Sequence, residues 1–225
     1  MKTLQLKTVS TLDAVREMLE KDIYSLYFPP GSKITENDLS VRYGVSRNTL
    51  REAISYLVIN GLLIRIPNKG IFVKEISVED ISEIFHLREV LESEAIRELV
   101  RSGMIPSSLR HSAEHVRAVY STQDWYESIK ADVSFHEQLV HLTDNQRLIK
   151  LYDCLLAEVK LCIYQSHSFS SIRPENAEHH MLILESMENG NLDMALKTLN
   201  KHINSAIQDY SAGFSAHGLK GNENV

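Results

Sequence analysis

The sequence predicts a mainly α-helical protein in two parts, an N-terminal winged helix-turn-helix and a C-terminal all-α antiparallel bundle of six helices. Three observations lead to this prediction. Within the first 77 residues, helical apolar patterns give way to two β-rich segments around Pro67-Asn68-Lys69-Gly70. After Ser77, apolar residues recur only at helical spacing. Residues 1–77 carry 11 Lys and Arg against 8 Asp and Glu, whereas residues 78–225 carry 13 against 22.

The first part is predicted to contain three helices and a hairpin. A first helix covers about residues 10–26 and ends at the segment FPPGSKI, because two prolines and a glycine interrupt it. A short helix over about 36–43 follows Thr35, a suitable N-cap, and ends at Gly44. A longer helix over about 47–60 follows Ser46. The segments LLIRI and IFVKEI then form the hairpin. This order is that of a winged helix-turn-helix.

The third helix is the expected recognition helix, whose N-terminal residues lie at the base edges in the major groove. Arg47 and Arg51 are suited to guanine, Asn48 to adenine, and Thr49 to several bases. From these residues alone, a solvated charged face remains an alternative. The hairpin favours DNA binding, because a tip containing glycine can lie close to phosphates. The residues expected to contact DNA are Lys33, Asn37, Arg47, Asn48, Thr49, Arg51, Lys69 and Gly70.

These motifs resemble the DNA-binding domain of the GntR family of bacterial regulators. The shared elements are Pro30-Gly31, Leu39, Val45-Ser46-Arg47, Leu50-Arg51-Glu52-Ala53-Ile54 and Gly70-Ile71-Phe72-Val73. The resemblance covers about residues 10–75. Asn37 stands where many relatives carry arginine, and Asn48-Thr49 replaces the common Thr-Pro pair. Both departures concern the operator sequence.

The second part, residues 78–213, is predicted to form the bundle, with residues 214–225 as a disordered tail. Its helices are expected over about 79–101, 106–121, 123–143, 145–167, 174–189 and 191–212.

Four polar residues fall on helix stripes that should be apolar. Asp132 and His136 are four residues apart, so they share one helix face. His180 and His202 lie on the inner stripes of the last two helices. One inward histidine is usually a hydrogen-bonded core residue, but four converging polar groups are costly to bury without partners. A divalent transition metal would satisfy all four; Zn, Ni, Mn and Fe are all compatible.

Arg88 lies on the apolar stripe of the first bundle helix. One interpretation is a buried ion pair with a neighbouring Glu. The other is an anchor for the carboxylate of a ligand, which a guanidinium can hold through two hydrogen bonds.

The bundle resembles the FCD effector-binding domain of the FadR-type branch of the GntR family, and with six helices it is similar to the VanR-like subgroup. The matching segments are His86 to Glu92, Asp132 to Leu139 and Glu178 to Ile203. The resemblance implies that Asp132, His136, His180 and His202 bind a metal and that small carboxylates act as effectors.

The sequence therefore predicts a dimeric, metal-dependent and ligand-responsive repressor, not an enzyme, that binds a pseudo-palindromic operator and is released by a small carboxylate. A metal-dependent hydrolase and a regulator that senses only the metal are the alternatives. No inward Glu or nucleophile is evident beside the four polar residues, which disfavours the hydrolase. A cytoplasmic location without membrane attachment is expected, because no apolar run approaches the roughly 20 residues of a membrane span.

Overall fold

The computed structural model describes residues 10–166 and 174–216. The chain divides into two compact units, Met1–Glu75 and Ile76–Val225. This division lies close to the boundary expected at Ser77. The expected loop around residues 167–173 and most of the expected tail lie outside the described residues.

The first unit has the predicted order of helices and hairpin. Its elements are α1 (Thr11–Tyr24), β1 (Lys33–Ile34), α2 (Glu36–Tyr43), α3 (Arg47–Ile59), β2 (Leu63–Ile66) and β3 (Gly70–Val73). The strands form one antiparallel sheet in the order β1-β3-β2. Strand β1 was not predicted: it is two residues long and is defined by its pairing with β3, where Lys33 lies opposite Phe72.

Local capping explains where α2 and α3 begin and end. The Thr35 hydroxyl accepts a hydrogen bond from the backbone N–H of Asp38, and the Ser46 hydroxyl accepts one from Thr49. Gly44 ends α2 in the left-handed region at a φ of 66°, a conformation that glycine adopts without steric cost. Both N-caps and this C-cap were predicted. The core of the unit includes the buried inner face of α3, namely Leu50, Ala53, Ile54 and Leu57.

The second unit is helical throughout its described residues, as predicted. Its helices are α4 (Val78–Ser102), α5 (Ser107–Tyr120), α6 (Trp125–His141), α7 (Gln146–Gln165), α8 (Pro174–Glu188) and α9 (Leu192–Ala216). Helix α4 begins with a reciprocal capping box between Ser77 and Asp80. It packs against α6, α7, α8 and α9, so its inner face borders the interior of the bundle.

One boundary prediction is wrong. Residues 214–216 were assigned to a disordered tail, but α9 continues to Ala216. The side chain of Phe214 is 2% exposed. Burial of this aromatic ring therefore extends the helix past Gly213, where the sequence alone suggested that it ends. None of the helices within residues 10–166 and 174–216 has the length and apolar character to cross a membrane.

Candidate metal centre and DNA-contacting surface

The expected DNA-contacting residues all lie in the first unit. Lys33, Asn37, Arg47, Asn48, Arg51 and Lys69 are exposed, while Thr49 and Gly70 are partly buried. The sheet brings Lys33 next to the wing residue Gly70: a Cβ atom at position 70 would lie 3.0 Å from Lys33 Cε. Gly70 also has a φ of 119°, which side-chain-bearing residues rarely adopt. The backbone conformation therefore favours glycine at this position, whereas the flexible end of the Lys33 side chain could move aside for a Cβ atom.

The two arginines of the recognition helix have partners in α2. Arg47 Nη2 donates to Asn37 Oδ1 at 3.2 Å, and Arg51 Nε lies 3.1 Å from Glu36 Oε2. The side chain of Arg51 remains 59% exposed. An exposed ion pair of this kind contributes at most about 1 kcal/mol. Both arginines can therefore exchange these partners for DNA at small cost.

The structure brings the four predicted metal ligands together. Helix α6 supplies Asp132 and His136 one turn apart, α8 supplies His180, and α9 supplies His202. All four side chains are buried, and one donor atom from each lies within 4.8 Å of the other three. Four residues from three helices thus surround one point in the bundle interior.

The donor atoms lie close enough together to surround a single ion. His136 Nε2 lies 3.1 Å from both His180 Nε2 and His202 Nε2. Asp132 Oδ1 lies 3.0 Å from His180 Nε2 and 3.8 Å from His202 Nε2. For metal–nitrogen bonds of about 2.0–2.1 Å, neighbouring ligands are separated by roughly 2.9–3.4 Å. Three of these four distances lie in this range, and the Asp132–His202 distance of 3.8 Å is longer. The four side chains could together hold a transition metal with a His₃Asp donor set.

The outward ring nitrogens fix which tautomer two of the histidines adopt. His136 Nδ1 lies 2.7 Å from the carboxylate of Glu92 and donates to it. His180 Nδ1 lies 2.9 Å from the carbonyl oxygen of Asn176 and donates to it. In neutral rings this leaves a lone pair on each Nε2. Two lone pairs face each other at 3.1 Å, which is unfavourable unless a cation lies between them. A proton held between His180 and Asp132, 3.0 Å apart, or a metal ion among all four groups would relieve this contact.

The electrostatic environment favours the deprotonated state of three of the four groups, Asp132, His136 and His202. Burial lowers the pKa of His136, and it lowers the pKa of His202 well below the ordinary value. Burial alone would raise the pKa of Asp132, but the hydrogen bond that His180 donates when it is protonated, and its charge in that state, more than offset this and hold the pKa of Asp132 well below its usual range. At neutral pH these histidines are therefore neutral and Asp132 is ionised, which are the states that bind a metal.

Glu92 lies beside the cluster, where sequence reasoning missed it, and the statement that no inward Glu lies there is wrong. Its side chain on α4 is fully buried. Oε2 accepts from His136 Nδ1, while Oε1 accepts from Arg88 Nε and from the hydroxyl of Tyr152, each at 2.7 Å. Burial raises the pKa of Glu92, but the Arg88 charge and then His136 lower it to about 2. The sequence signal that could have identified Glu92 is its position four residues after Arg88.

Arg88 combines features of both interpretations that the sequence left open. Its Nε pairs with Glu92, as the structural interpretation expects. Its Nη2 is buried without a hydrogen-bond partner among the described residues and lies 3.9 Å from Asp132 Oδ2. A buried, unsatisfied donor is costly. A guanidinium nitrogen beside the Asp132 carboxylate is therefore available to a ligand.

Comparisons with protein families agree with this architecture. Residues 11–73 match the family described as "Bacterial regulatory proteins, gntR family", and residues 83–205 match the FCD domain. The first match covers the helix-turn-helix and its wing. The second covers all four members of the buried cluster together with Arg88 and Glu92.

Individual proteins show the same organisation. The chain is 27% identical over 190 residues to the HTH-type transcriptional regulator YdhC of Bacillus subtilis, covering 83% of this chain and 84% of YdhC. It is 25% identical over 193 residues to the HTH-type transcriptional repressor RspR of Escherichia coli, covering 84% of each. The crystal structure of a GntR transcriptional regulator from Rhodococcus sp. RHA1 has a similar fold, with a TM-score of 0.73 and 23% identity over 91% of this chain and 99% of that one.

Proposed function

Because the chain belongs to the GntR family of bacterial transcriptional regulators and carries an FCD domain, we propose that it is a metal-dependent repressor that a small carboxylate releases from DNA. One observation carries this proposal: the unpartnered Nη2 of Arg88 lies beside the buried Asp132–His136–His180–His202 cluster. A repressor among the relatives, RspR, supports the direction of regulation. The family consists of regulators and not enzymes.

The DNA-binding role rests on the exposed N-terminal turns of α3. We expect Arg47→Ala and Arg51→Ala each to weaken operator binding by about 1–3 kcal/mol, because each removes a guanidinium suited to a base edge. The operator is first selected by the wild-type protein from random duplex DNA, and affinity is then measured by fluorescence anisotropy. Arg147→Ala on α7 is the matched control. Normal affinity in both recognition-helix variants would contradict the assignment of α3.

The effector role rests on the chemistry around Arg88. A metal bound by the four side chains supplies open coordination positions that a carboxylate oxygen can occupy. Arg88 Nη2 offers a charge-assisted hydrogen bond to such a carboxylate. Meanwhile Glu92 holds the same guanidinium in place through Nε. A small carboxylate can therefore contact α4 through Arg88 and the other helices through their donor side chains.

The link to the DNA-binding unit is short. Strand β3 ends at Val73 and α4 begins at Val78. The backbone N–H of Ile76 donates to the side chain of Gln165 on α7 at 3.0 Å, which ties this connection to the bundle. We propose that an effector that favours one arrangement of α4 changes DNA affinity, because a ligand shifts the equilibrium towards the state that it binds better.

Arg88→Lys is expected to separate effector binding from folding. Lysine keeps the positive charge near Glu92 but loses the second guanidinium nitrogen, so a carboxylate should release the operator at a concentration at least about tenfold higher. The measurement is a titration of small mono- and dicarboxylic acids into the metal-loaded protein–operator complex. Arg147→Lys is the control, and metal content should stay unchanged. An unaltered effector response in the Arg88 variant would contradict this role.

The same titration separates the alternatives. Release of DNA without chemical change of the acid supports the proposed repressor. Turnover of the acid would support a hydrolase, although Glu92 is held by three hydrogen bonds and is not free to act as a base. Release that follows metal concentration but no carboxylate would support a regulator that senses only the metal.

A further inference from the structure

A groove on the second unit lies between α8 and α9. Its volume is about 650 Å³, within the range of roughly 300–1,000 Å³ that small-molecule sites occupy. The residues that line it come from these two helices, and none of them is acidic. None belongs to the buried Asp132–His136–His180–His202 cluster either. We call this feature the α8–α9 groove.

Two positive charges in the α8–α9 groove have no paired carboxylate. Lys197 and Lys201 both line the groove, and their spacing of four residues places them on the same face of α9. Neither lysine forms an ion pair with any residue in 10–166 or 174–216. Like charges at this spacing repel each other. An anion bound between the two ammonium groups would therefore be attracted by both and would relieve their repulsion.

A buried imidazole adds hydrogen-bonding capacity to the wall of the groove. His179 lines the groove and is only 5% exposed. Its Nδ1 is buried without a hydrogen-bond partner among the described residues, which is costly unless a ligand supplies one. On its other side the ring lies edge-on to that of His202, with 5.9 Å between the centroids. His179 therefore lies between the groove and the buried cluster.

The groove also has apolar surface next to its charges. Leu182 of α8 and Met194 of α9 line it, and each is 48% exposed. Asn204 and Gln208 contribute amide groups further along α9. Positive charge, hydrogen-bonding groups and apolar surface within one groove suit a small organic anion better than a bare inorganic ion.

We propose that the α8–α9 groove is a second ligand site, separate from the bundle interior, that binds a small phosphate monoester. The phosphate lies between Lys197 and Lys201, and the organic group packs against Leu182 and Met194. A phosphate monoester carries a charge of about −1.5 to −2 at pH 7 and three acceptor oxygens, so it can satisfy two ammonium groups at once. A carboxylate carries a single charge and would leave one lysine unpaired. Lysine is also a common point-charge ligand for phosphate.

The test is a calorimetric titration of the full chain with phenyl phosphate, a monoester with an apolar group. Lys197→Gln with Lys201→Gln should weaken binding at least about tenfold, because both charges that face the phosphate are lost. The matched control is Lys130→Gln with Lys150→Gln, which removes two exposed lysines from α6 and α7. Benzoate, which presents a carboxylate on the same ring, should bind the wild type at least about tenfold more weakly than phenyl phosphate. Circular dichroism verifies folding.

Two further variants locate the bound phosphate. Leu182→Glu places a carboxylate in the groove and should also weaken binding at least about tenfold, whereas Leu151→Glu, at a 60% exposed position on α7, should not. Arg88→Lys should bind phenyl phosphate as the wild type does, because Arg88 lies in the bundle interior. Absence of binding to the wild type, or affinity that the groove variants leave unchanged, would overturn the site. Equal affinity for benzoate would overturn the phosphate assignment. Neither result would affect the repressor proposal.

Discussion

Protein carrying His136→Ala together with His202→Ala is expected to lose its metal and, with it, several kilocalories per mole of folding free energy. A ligand that binds only the native state stabilises it by about 2.7 kcal/mol at a concentration 100 times its Kd and by about 4.1 kcal/mol at 1,000 times. The two variants remove one ligand from α6 and one from α9. Wild-type protein purified without chelator should contain about one metal ion per chain, because the four donor atoms surround one point.

Elemental analysis and thermal unfolding with and without chelator measure this effect. Chelator should lower the Tm of the wild type and leave that of the double variant unchanged. His111→Ala with His115→Ala is the matched control, since these residues have the same spacing of four on α5 but are exposed. Wild-type protein without metal, or a double variant that zinc stabilises as strongly as the wild type, would contradict the metal centre.

The fold was largely predictable because most of its helices begin and end through interactions between residues that are close together in the sequence. Thr35 and Ser46 cap helices through hydrogen bonds to residues three positions away, and Gly44 ends a helix by its own conformation. Interactions of this kind depend only on near neighbours in the sequence. By contrast, β1 depends on its pairing with β3, and the end of α9 depends on the burial of Phe214. Neither has a local signal, so both were missed.

The candidate metal centre was predictable for a different reason. Polar residues on a stripe that should be apolar are conspicuous, and Asp132, His136, His180 and His202 all stand out in this way. The stripes directed all four towards the interior of the bundle, and the distances between them required the structure. Glu92 was missed because an acidic residue near the edge of the inner stripe of α4 can also be a surface residue. Tyr152 and Asn176 reach their partners only through tertiary packing.

Glu92→Gln is expected to weaken metal binding by about 10- to 100-fold, the usual range when a group that orients a metal-bound histidine is changed. The reason lies in the position of the two carboxylate oxygens. Oε1 accepts hydrogen bonds from two donors, Arg88 Nε and the Tyr152 hydroxyl. In the glutamine variant the amide oxygen must occupy the position of Oε1. An amide nitrogen in that position would direct its own N–H groups at the two donors, Arg88 Nε and the Tyr152 hydroxyl. The amide nitrogen then faces His136 Nδ1, where the carboxylate oxygen Oε2 now lies.

This reversal changes the tautomer of His136. An amide N–H donates, so Nδ1 must accept and the ring proton moves to Nε2, the atom directed at His180 and His202. A protonated Nε2 does not bind a metal. The variant also removes the nearer of the two buried carboxylates beside Arg88, which costs up to about 3–5 kcal/mol of folding free energy. Metal affinity is therefore measured by zinc titration of folded protein, with the unfolding free energy determined separately.

Two further variants distinguish the tautomer from a general loss of stability. Tyr152→Phe removes one donor to Oε1 but leaves the carboxylate opposite His136, so it should lower stability and keep the zinc affinity within a few-fold of wild type. Glu89→Gln changes another glutamate of α4, which accepts a hydrogen bond from Asn200 at 2.8 Å, and should alter neither property appreciably. If Glu92→Gln binds zinc as tightly as these two variants do, Glu92 only balances the charge of Arg88 and does not set the protonation of His136.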